Sequence, residues 1–338
     1  MKKNILILSL ILAGSLCVIL ALVNVSGPGT PMIGQARRYT VIEAVTEDSI
    51  RLPASINMMQ IADGCLYGFA DKQKVLFRTN LENRKTDTLL YIPSLFSGVL
   101  NGITFDPATK TFYFLNARSR KIYLYHLPDA RKDSFNTGTL RLSGGEKCFT
   151  GAAFFIRSVE YPTNLTTLKK ADYTRNADTT LYTFPLYPDG GISSDGFFRK
   201  DASSKKQFYI PYYNAEIIAY DEADDKISKI ITIDKTKPYN AAIPMEQGYG
   251  LSGKAKMINM AAATDSTHLY LLSYTSSPGK NEKAGTVVDI YSTLTGNYEG
   301  SLQFPYFENH PATLLEKYGD RLYVAFSNNI VSYKINYR

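Results

Sequence analysis

Apolar and polar residues follow two regimes along this chain. From Ile5 to Val25 the run is apolar almost without interruption, broken only by Ser9, Gly14, Ser15 and Asn24, with Lys2 and Lys3 ahead of it. From about residue 39 to the end, apolar residues come instead in short alternating runs separated by Gly, Asn, Asp and Pro. That second pattern predicts β-strands almost everywhere and no long amphipathic helix.

The first regime predicts a helix of membrane-spanning length. Its 21 residues make a helix of roughly 31 Å against a hydrocarbon core of about 30 Å, whereas the apolar part of a cleavable signal runs to about 7–15 residues. The end of the run lacks a good small-x-small cleavage site: Val25 and Gly27 are the best pair, and Pro28 follows. The expectation is therefore an uncleaved signal anchor over residues 1–26, a linker over 27–37 and a domain over 38–338. Cys17 follows Leu16, where lipid attachment needs a small residue, so it reads as one more small apolar side chain of the helix. Lys2 and Lys3 on the short side put the N-terminus in the cytoplasm and the domain outside, with Arg37 and Arg38 pulling weakly the other way.

The second regime repeats. Each unit opens a strand with a pair of aromatic or aliphatic residues, turns on polar residues and continues in another alternating strand. The clearest copies are LYGFADKQKVLFRTNL from Leu66, FYFLNARSRKIYLYHL from Phe112, FYIPYYNAEIIAYDEA from Phe208 and LYVAFSNNIVSYKI from Leu322. Two more are stretched: one opens at Phe154 and resumes at Leu181 across a polar insertion from Thr163 to Asn176, the other opens at Leu269 and resumes near Val287. The openings are 46, 42, 54, 61 and 53 residues apart. A further strand precedes the pair, as in GITFD before Phe112, and another follows, as in GTLRL ending at Leu142.

Four strands per unit, each sheet with two apolar faces it cannot bury alone, define a stack of blades closed into a ring: an all-β, six-bladed β-propeller. The chain ends at Arg338 just after the third strand of the last unit. RYTVIEAV, Arg38 to Val45, is the expected fourth strand, so the N-terminal strand closes the last blade. Lys235 to Ala262, containing QGYGLSGKAK, is expected as a long face loop or as an extended approach to the innermost strand of the fifth unit. Such insertions project from one face, where partners dock.

Composition narrows the function. The 25 Tyr and 17 Phe suit strands, while the absence of Trp argues against tryptophan-docked quinoprotein propellers. Beyond residue 36 the chain carries 36 Lys and Arg against 31 Asp and Glu, a net +5 with no basic run. This argues against a nucleic-acid partner and leaves weak attraction to anionic lipid or polysaccharide. Cys65 and Cys148 form a candidate disulfide in an oxidising compartment, or stay as two free thiols.

No catalytic pattern emerges. His126, His268 and His310 are far apart in sequence and read as satisfied side chains. There is no GxSxG, and QGYGLSGK lacks the spacing of a phosphate loop. The acids Asp221, Glu222, Asp224 and Asp225 read as a solvated turn between two strands of the fourth unit rather than a calcium loop. Arg157, Arg199, Tyr212, Tyr213 and Asn214 are candidate contact residues, because their units depart there from plain alternation and Tyr and Arg give contact area at low entropy cost. Asn101 and Asn214 are candidate axial amides. The expected function is a binding or scaffolding module for a protein, peptide or glycan, with no catalytic residue and no cofactor. The alternative is a calcium-dependent hydrolase, lactonase-like, with at least three acidic or amide side chains converging at the axis.

The runs DGFFRKDASSKKQFYIPYYNAEIIAYD (Asp195 to Asp221), GTVVDIYSTLTGNYEGSLQFP (Gly285 to Pro305) and DRLYVAFSNNIVSYKI resemble uncharacterised membrane-anchored six-bladed propeller-like proteins of Bacteroidota-type bacteria. The resemblance implies the propeller fold and an envelope location, here a single pass of the bacterial cytoplasmic membrane with the C-terminal domain periplasmic. It carries no catalytic residue.

Overall fold

Each of the six paired openings falls in the second strand of a four-stranded antiparallel sheet. The structure, a computed structural model, describes residues 37–39, 42–95, 100–138, 143–201, 203–273 and 285–337. Strand β1 (Ile42–Arg51) comes first and is used last. Blade 1 is β2 (Met58–Ala62), β3 (Cys65–Ala70), β4 (Val75–Asn80) and β5 (Thr86–Tyr91). Blade 2 is β6 (Gly102–Asp106), β7 (Thr111–Asn116), β8 (Lys121–His126) and β9 (Lys132–Asn136). Blade 3 is β10 (Gly144–Lys147), β11 (Ala153–Glu160), β12 (Leu165–Asp172) and β13 (Ala177–Thr183). Blade 4 is β14 (Gly196–Asp201), β15 (Lys206–Pro211), β16 (Glu216–Asp221) and β17 (Lys226–Ile231). A hairpin of β18 (Ala242–Met245) and β19 (Gly248–Leu251) precedes blade 5, which is β20 (Asn259–Thr264), β21 (His268–Ser273), β22 (Gly285–Ser292) and β23 (Tyr298–Pro305). Blade 6 has β24 (Leu314–Tyr318), β25 (Arg321–Phe326) and β26 (Asn329–Tyr337), and β1 pairs with β26 as its outer strand, from Ile42 opposite Tyr337 to Arg51 opposite Asn329. The expected closure of the ring is therefore present, with the strand running further than Val45.

The opening pairs have a physical reason. Successive residues of a strand point to opposite faces, and every blade has a neighbour on each face. Leu66 packs toward blade 6 and Tyr67 toward blade 2; Phe112 packs toward blade 1 and Tyr113 toward blade 3; Leu322 packs toward blade 5 and Tyr323 toward blade 1. In blade 4 the order is reversed, with Tyr209 toward blade 3 and Phe208 toward blade 5. The buried apolar residues form six clusters, one at each blade interface.

Three sequence expectations are corrected. Thr163 to Asn176 is no insertion: it contains β12, the third strand of blade 3, in which Thr166, Thr167, Leu168 and Ala171 are buried. Its lysines masked the pattern; Lys169 pairs with Glu160 at 3.1 Å and Asp178 at 3.3 Å, and Lys170 with Asp225 at 3.3 Å. The outer strand of blade 2 is Lys132–Asn136 rather than GTLRL, because an outer strand exposed to solvent needs no apolar alternation; residues 139–142 lie outside the described residues. Cys65 and Cys148 are free thiols on blades 1 and 3, which blade 2 separates, so the candidate disulfide is not formed. Lys235 to Ala262 holds both expected features, since a projecting hairpin precedes the innermost strand β20. Among the described residues no helix is long and apolar enough to cross a membrane, and the expected anchor over 1–26 lies outside them.

Candidate functional site

The first strands of the blades, β2, β6, β10, β14, β20 and β24, surround the ring axis, in contact from β6 through β10, β14, β20 and β24 to β2. In five of them the residue paired with an aromatic of the second strand is polar: Gln60 opposite Tyr67, Thr104 opposite Tyr113, Glu146 opposite Phe155, Arg199 opposite Phe208 and Glu316 opposite Tyr323. These side chains link blades. The Thr104 hydroxyl donates to Glu146, and Glu146 in turn forms an ion pair with Lys200 at 3.2 Å. Arg199 Nε donates to the Ala262 carbonyl at 2.5 Å, and the Thr264 hydroxyl donates back to the Lys200 carbonyl at 2.8 Å. Gln60 Nε2 donates to Glu316 Oε1 at 3.1 Å.

Burial dominates the electrostatics here. It raises the Glu146 carboxyl against the pull of Lys200 and Arg199. It pushes Glu316 up to about 8, against the opposing field of Arg199 and with the Glu146 charge adding to the rise. Glu316 keeps some accessible surface although protein surrounds it. Of the acidic and amide side chains at the axis, Gln60 meets Glu316 and Glu146 meets Lys200, while Asn101 and Asn214 lie at one end of the ring. The cations that answer the two carboxylates are Lys200 and Arg199, and among the described residues no His, Cys, Asp or Glu are grouped as metal ligands.

One end of the ring, here the loop face, carries the connections between blades and the turns between second and third strands. Four of the candidate contact residues lie there, and most of them hold the ring together. Arg157 is buried; Nη1 donates to Ser143 Oγ at 2.8 Å and lies 3.6 Å from Asp195, and Nη2 donates to the Gly191 carbonyl, while Nε has no partner. It orders the connection between blades 3 and 4. The Tyr212 carbonyl accepts from Ile258 N–H at 2.7 Å, and the Asn214 carbonyl from Asn259 Nδ2 at 3.0 Å, so this corner joins blade 4 to blade 5. Tyr213 is buried beside Tyr212, their ring centroids 6.1 Å apart. Asn214 Oδ1 accepts from Glu216 N–H at 2.9 Å within its own turn, and Asn101 Oδ1 accepts from Ala117 N–H at 2.8 Å, tying the approach to β6 to the turn after β7. Only Arg199 of the predicted residues belongs to the axial set. Sequence reasoning missed Gln60, Thr104, Glu146, Lys200 and Glu316; the signal was the polar residue in the strand ahead of each pair.

The opposite end, the turn face, has its own charged cluster. His268 Nδ1 lies 3.3 Å from Asp265 and Nε2 lies 3.0 Å from Glu299, and its ring stacks on Tyr337 at 4.7 Å. The hydrogen bond to Asp265 raises the imidazole pKa, and the Asp265 and Glu299 charges add to it against burial. The acids of the Asp221 turn are also engaged: Glu222 accepts from the N–H groups of Phe149 at 2.8 Å and Thr150 at 2.7 Å, clasping blade 4 to blade 3.

A six-bladed propeller with a girdle of axial charges is the class these features define. No family profile matches the chain, and no curated protein does. Its fold is similar to a member of the DUF4221 family from Bacteroides vulgatus, at TM-score 0.57 and 12% identity, covering 89% of this chain and 100% of that one. It is also similar to a putative exported protein from Bacteroides fragilis, at TM-score 0.54 and 9% identity over 90% of this chain and 97% of that one. A third similar structure, a Bacteroides thetaiotaomicron protein of unknown function, gives TM-score 0.53 and 9% identity over 88% and 76%.

Proposed function

We propose that the chain is a membrane-tethered binding or scaffolding module. Residues 1–26 anchor it by a single pass in a bacterial cytoplasmic membrane, and the propeller stands on the outer side, where it engages an envelope protein, peptide or glycan. The observation that carries this reading is the axis: its carboxylates are answered by Lys200, Arg199 and Gln60 of neighbouring blades. What the disc offers a partner is then rigid surface rather than an open reaction centre. The description of the Bacteroides fragilis neighbour as a putative exported protein supports the location.

The reading is tested by photo-crosslinking in cells with the full chain, with a photoreactive residue replacing exposed Leu186 on the loop face or Tyr318 on the turn face. A discrete adduct from at least one face is expected. Adducts from neither, together with a calcium site found by calorimetry, would move the case to the hydrolase.

A further inference from the structure

Between blades 4 and 5 the chain makes an excursion that ring closure does not require. From Lys235 to Ile258 it leaves the loop face, forms the β18–β19 hairpin and returns. The base is fixed: Ala241 N–H donates to Ser193 Oγ at 2.7 Å, Ser252 N–H to the Ala241 carbonyl at 2.9 Å, and Ile258 N–H to the Tyr212 carbonyl. Beyond that base the hairpin is apolar and bare. Ile243, Met245, Tyr249, Leu251 and Met257 are exposed, Met245 to 63%. Burying such side chains is favourable wherever an apolar phase is offered.

Its charges are one-sided. Lys235, Lys237, Lys254 and Lys256 flank the apolar strands and are exposed, with Glu246 the one acid of the excursion. Among the described residues none of these lysines has a carboxylate within 4.0 Å. An apolar tip inside a ring of lysines complements an anionic bilayer, where lysines meet headgroups and the apolar residues meet the acyl boundary. Tyr161, Leu186 and Tyr306 are exposed at the same end of the ring.

The N-terminal chain arrives at this same place. Arg37 Nε and Nη2 donate to the two carboxylate oxygens of Asp289, at 2.9 and 3.0 Å, and Nη2 reaches Asp234 at 3.2 Å. Asp234 immediately precedes Lys235, where the excursion begins. From Arg37 the chain passes Ser301 and Tyr298 on the outer strand of blade 5 and enters β1 at the turn-face end. Arg37 is therefore held beside the start of the excursion. Residues 27–36 span at most about 36 Å, which keeps the hairpin within reach of any bilayer the preceding segment enters.

We propose that the β18–β19 hairpin seats on the anionic surface of that bilayer, turning the loop face to the membrane and leaving the turn face to the envelope partner. The orientation rests on the tether proposed above; the hairpin's chemistry does not.

The chain contains no Trp, so one introduced indole is a unique probe. The full chain carrying Tyr249→Trp, or Leu294→Trp on the turn face, is reconstituted into phosphatidylethanolamine vesicles with phosphatidylglycerol and brominated acyl chains. Flotation is read alongside emission. The expected result is a blue-shifted emission, quenched several-fold, for Tyr249→Trp and not for Leu294→Trp, with most of the quenching lost on adding Lys254→Glu and Lys256→Glu. A floating chain whose Tyr249→Trp emission is unquenched overturns the hairpin proposal, and a blue shift without quenching does so in favour of a protein occupant. A chain that fails to float overturns the tether; added vesicles then quench Tyr249→Trp if the hairpin proposal holds and leave it unchanged if it does not.

Discussion

Single buried charges decide where this molecule is vulnerable. Asp289 has no exposed side-chain surface and is held by Arg37, by Ser273 Oγ at 2.6 Å and by Ser301 Oγ at 2.6 Å. Among the described residues Arg37 is the one cation paired with it, and breaking a buried pair by Arg37→Ala costs about 3–5 kcal/mol. Urea unfolding of the variant is expected to show a loss of that order; a loss below about 1 kcal/mol, the range of surface pairs, would show that the serines suffice. Glu316 makes the opposite argument. Its folded pKa of about 8 lies above the unfolded value of 4.5, so the folded state holds the proton that the unfolded state loses. Stability then falls as pH rises from about 4.5 to 8, by at most about 1.4 kcal/mol per pH unit. His268 acts in the same direction: its raised pKa gives stability that is complete below about 6.5 and lost as pH climbs through the folded value. Denaturation midpoints across this range are expected to decline in the parent and to flatten in Glu316→Gln. An unchanged slope in that variant would assign the decline to other groups.

At the scale of elements, the chain declared what it buries and concealed what it exposes. Second strands were legible because two adjacent large side chains must each meet a different blade, and the requirement recurs at Leu66, Phe112, Phe154, Phe208, Leu269 and Leu322. Outer strands were not: β9 reads Lys-Asp-Ser-Phe-Asn, has only Phe135 partly covered, and satisfies its backbone by pairing alone. The same holds for the axis, where a lone Glu146 or Glu316 is indistinguishable in sequence from a surface acid until six inner strands bring it beside Arg199. Strand β1 was readable from the missing fourth strand of blade 6. Deleting residues 42–51 exposes the edge of β26 and removes Ile50, uncovering Met59, Leu66 and Tyr323, with which it packs across the last interface. A ring opened in this way is expected to lose its cooperative melting transition. The hairpin predicts the contrary: replacing residues 243–250 with a short Gly-Ser turn should leave the melt unchanged, because Ala241 and Ala242 are buried and the residues removed are not.

At the scale of the molecule, the ring is closed at the rim by β1 and tied at the axis by side chains across four of its six interfaces. Thr104, Glu146 and Lys200 join blades 2, 3 and 4; Arg199 and Thr264 join 4 to 5; Glu316 and Gln60 join 6 to 1. A calcium ion at the axis would have to displace Lys200 from Glu146 and take a proton from Glu316, so binding it would oppose the arrangement that holds the blades together. The expected melting temperature of the full chain is therefore the same in calcium and in chelator. A ligand at a hundred times its Kd stabilises by about 2.7 kcal/mol, which for a domain of this size is a rise of roughly 4 °C. A rise of that size would place a cation where the ion pairs now stand. Arg199→Met sharpens the comparison, because it withdraws the positive field felt by both Glu146 and Glu316. The variant is expected to melt lower than the parent and to show any latent cation affinity of the two carboxylates. Calcium rescue confined to Arg199→Met would identify the guanidinium as the ion's substitute, while rescue of parent and variant alike would make the axis a metal site.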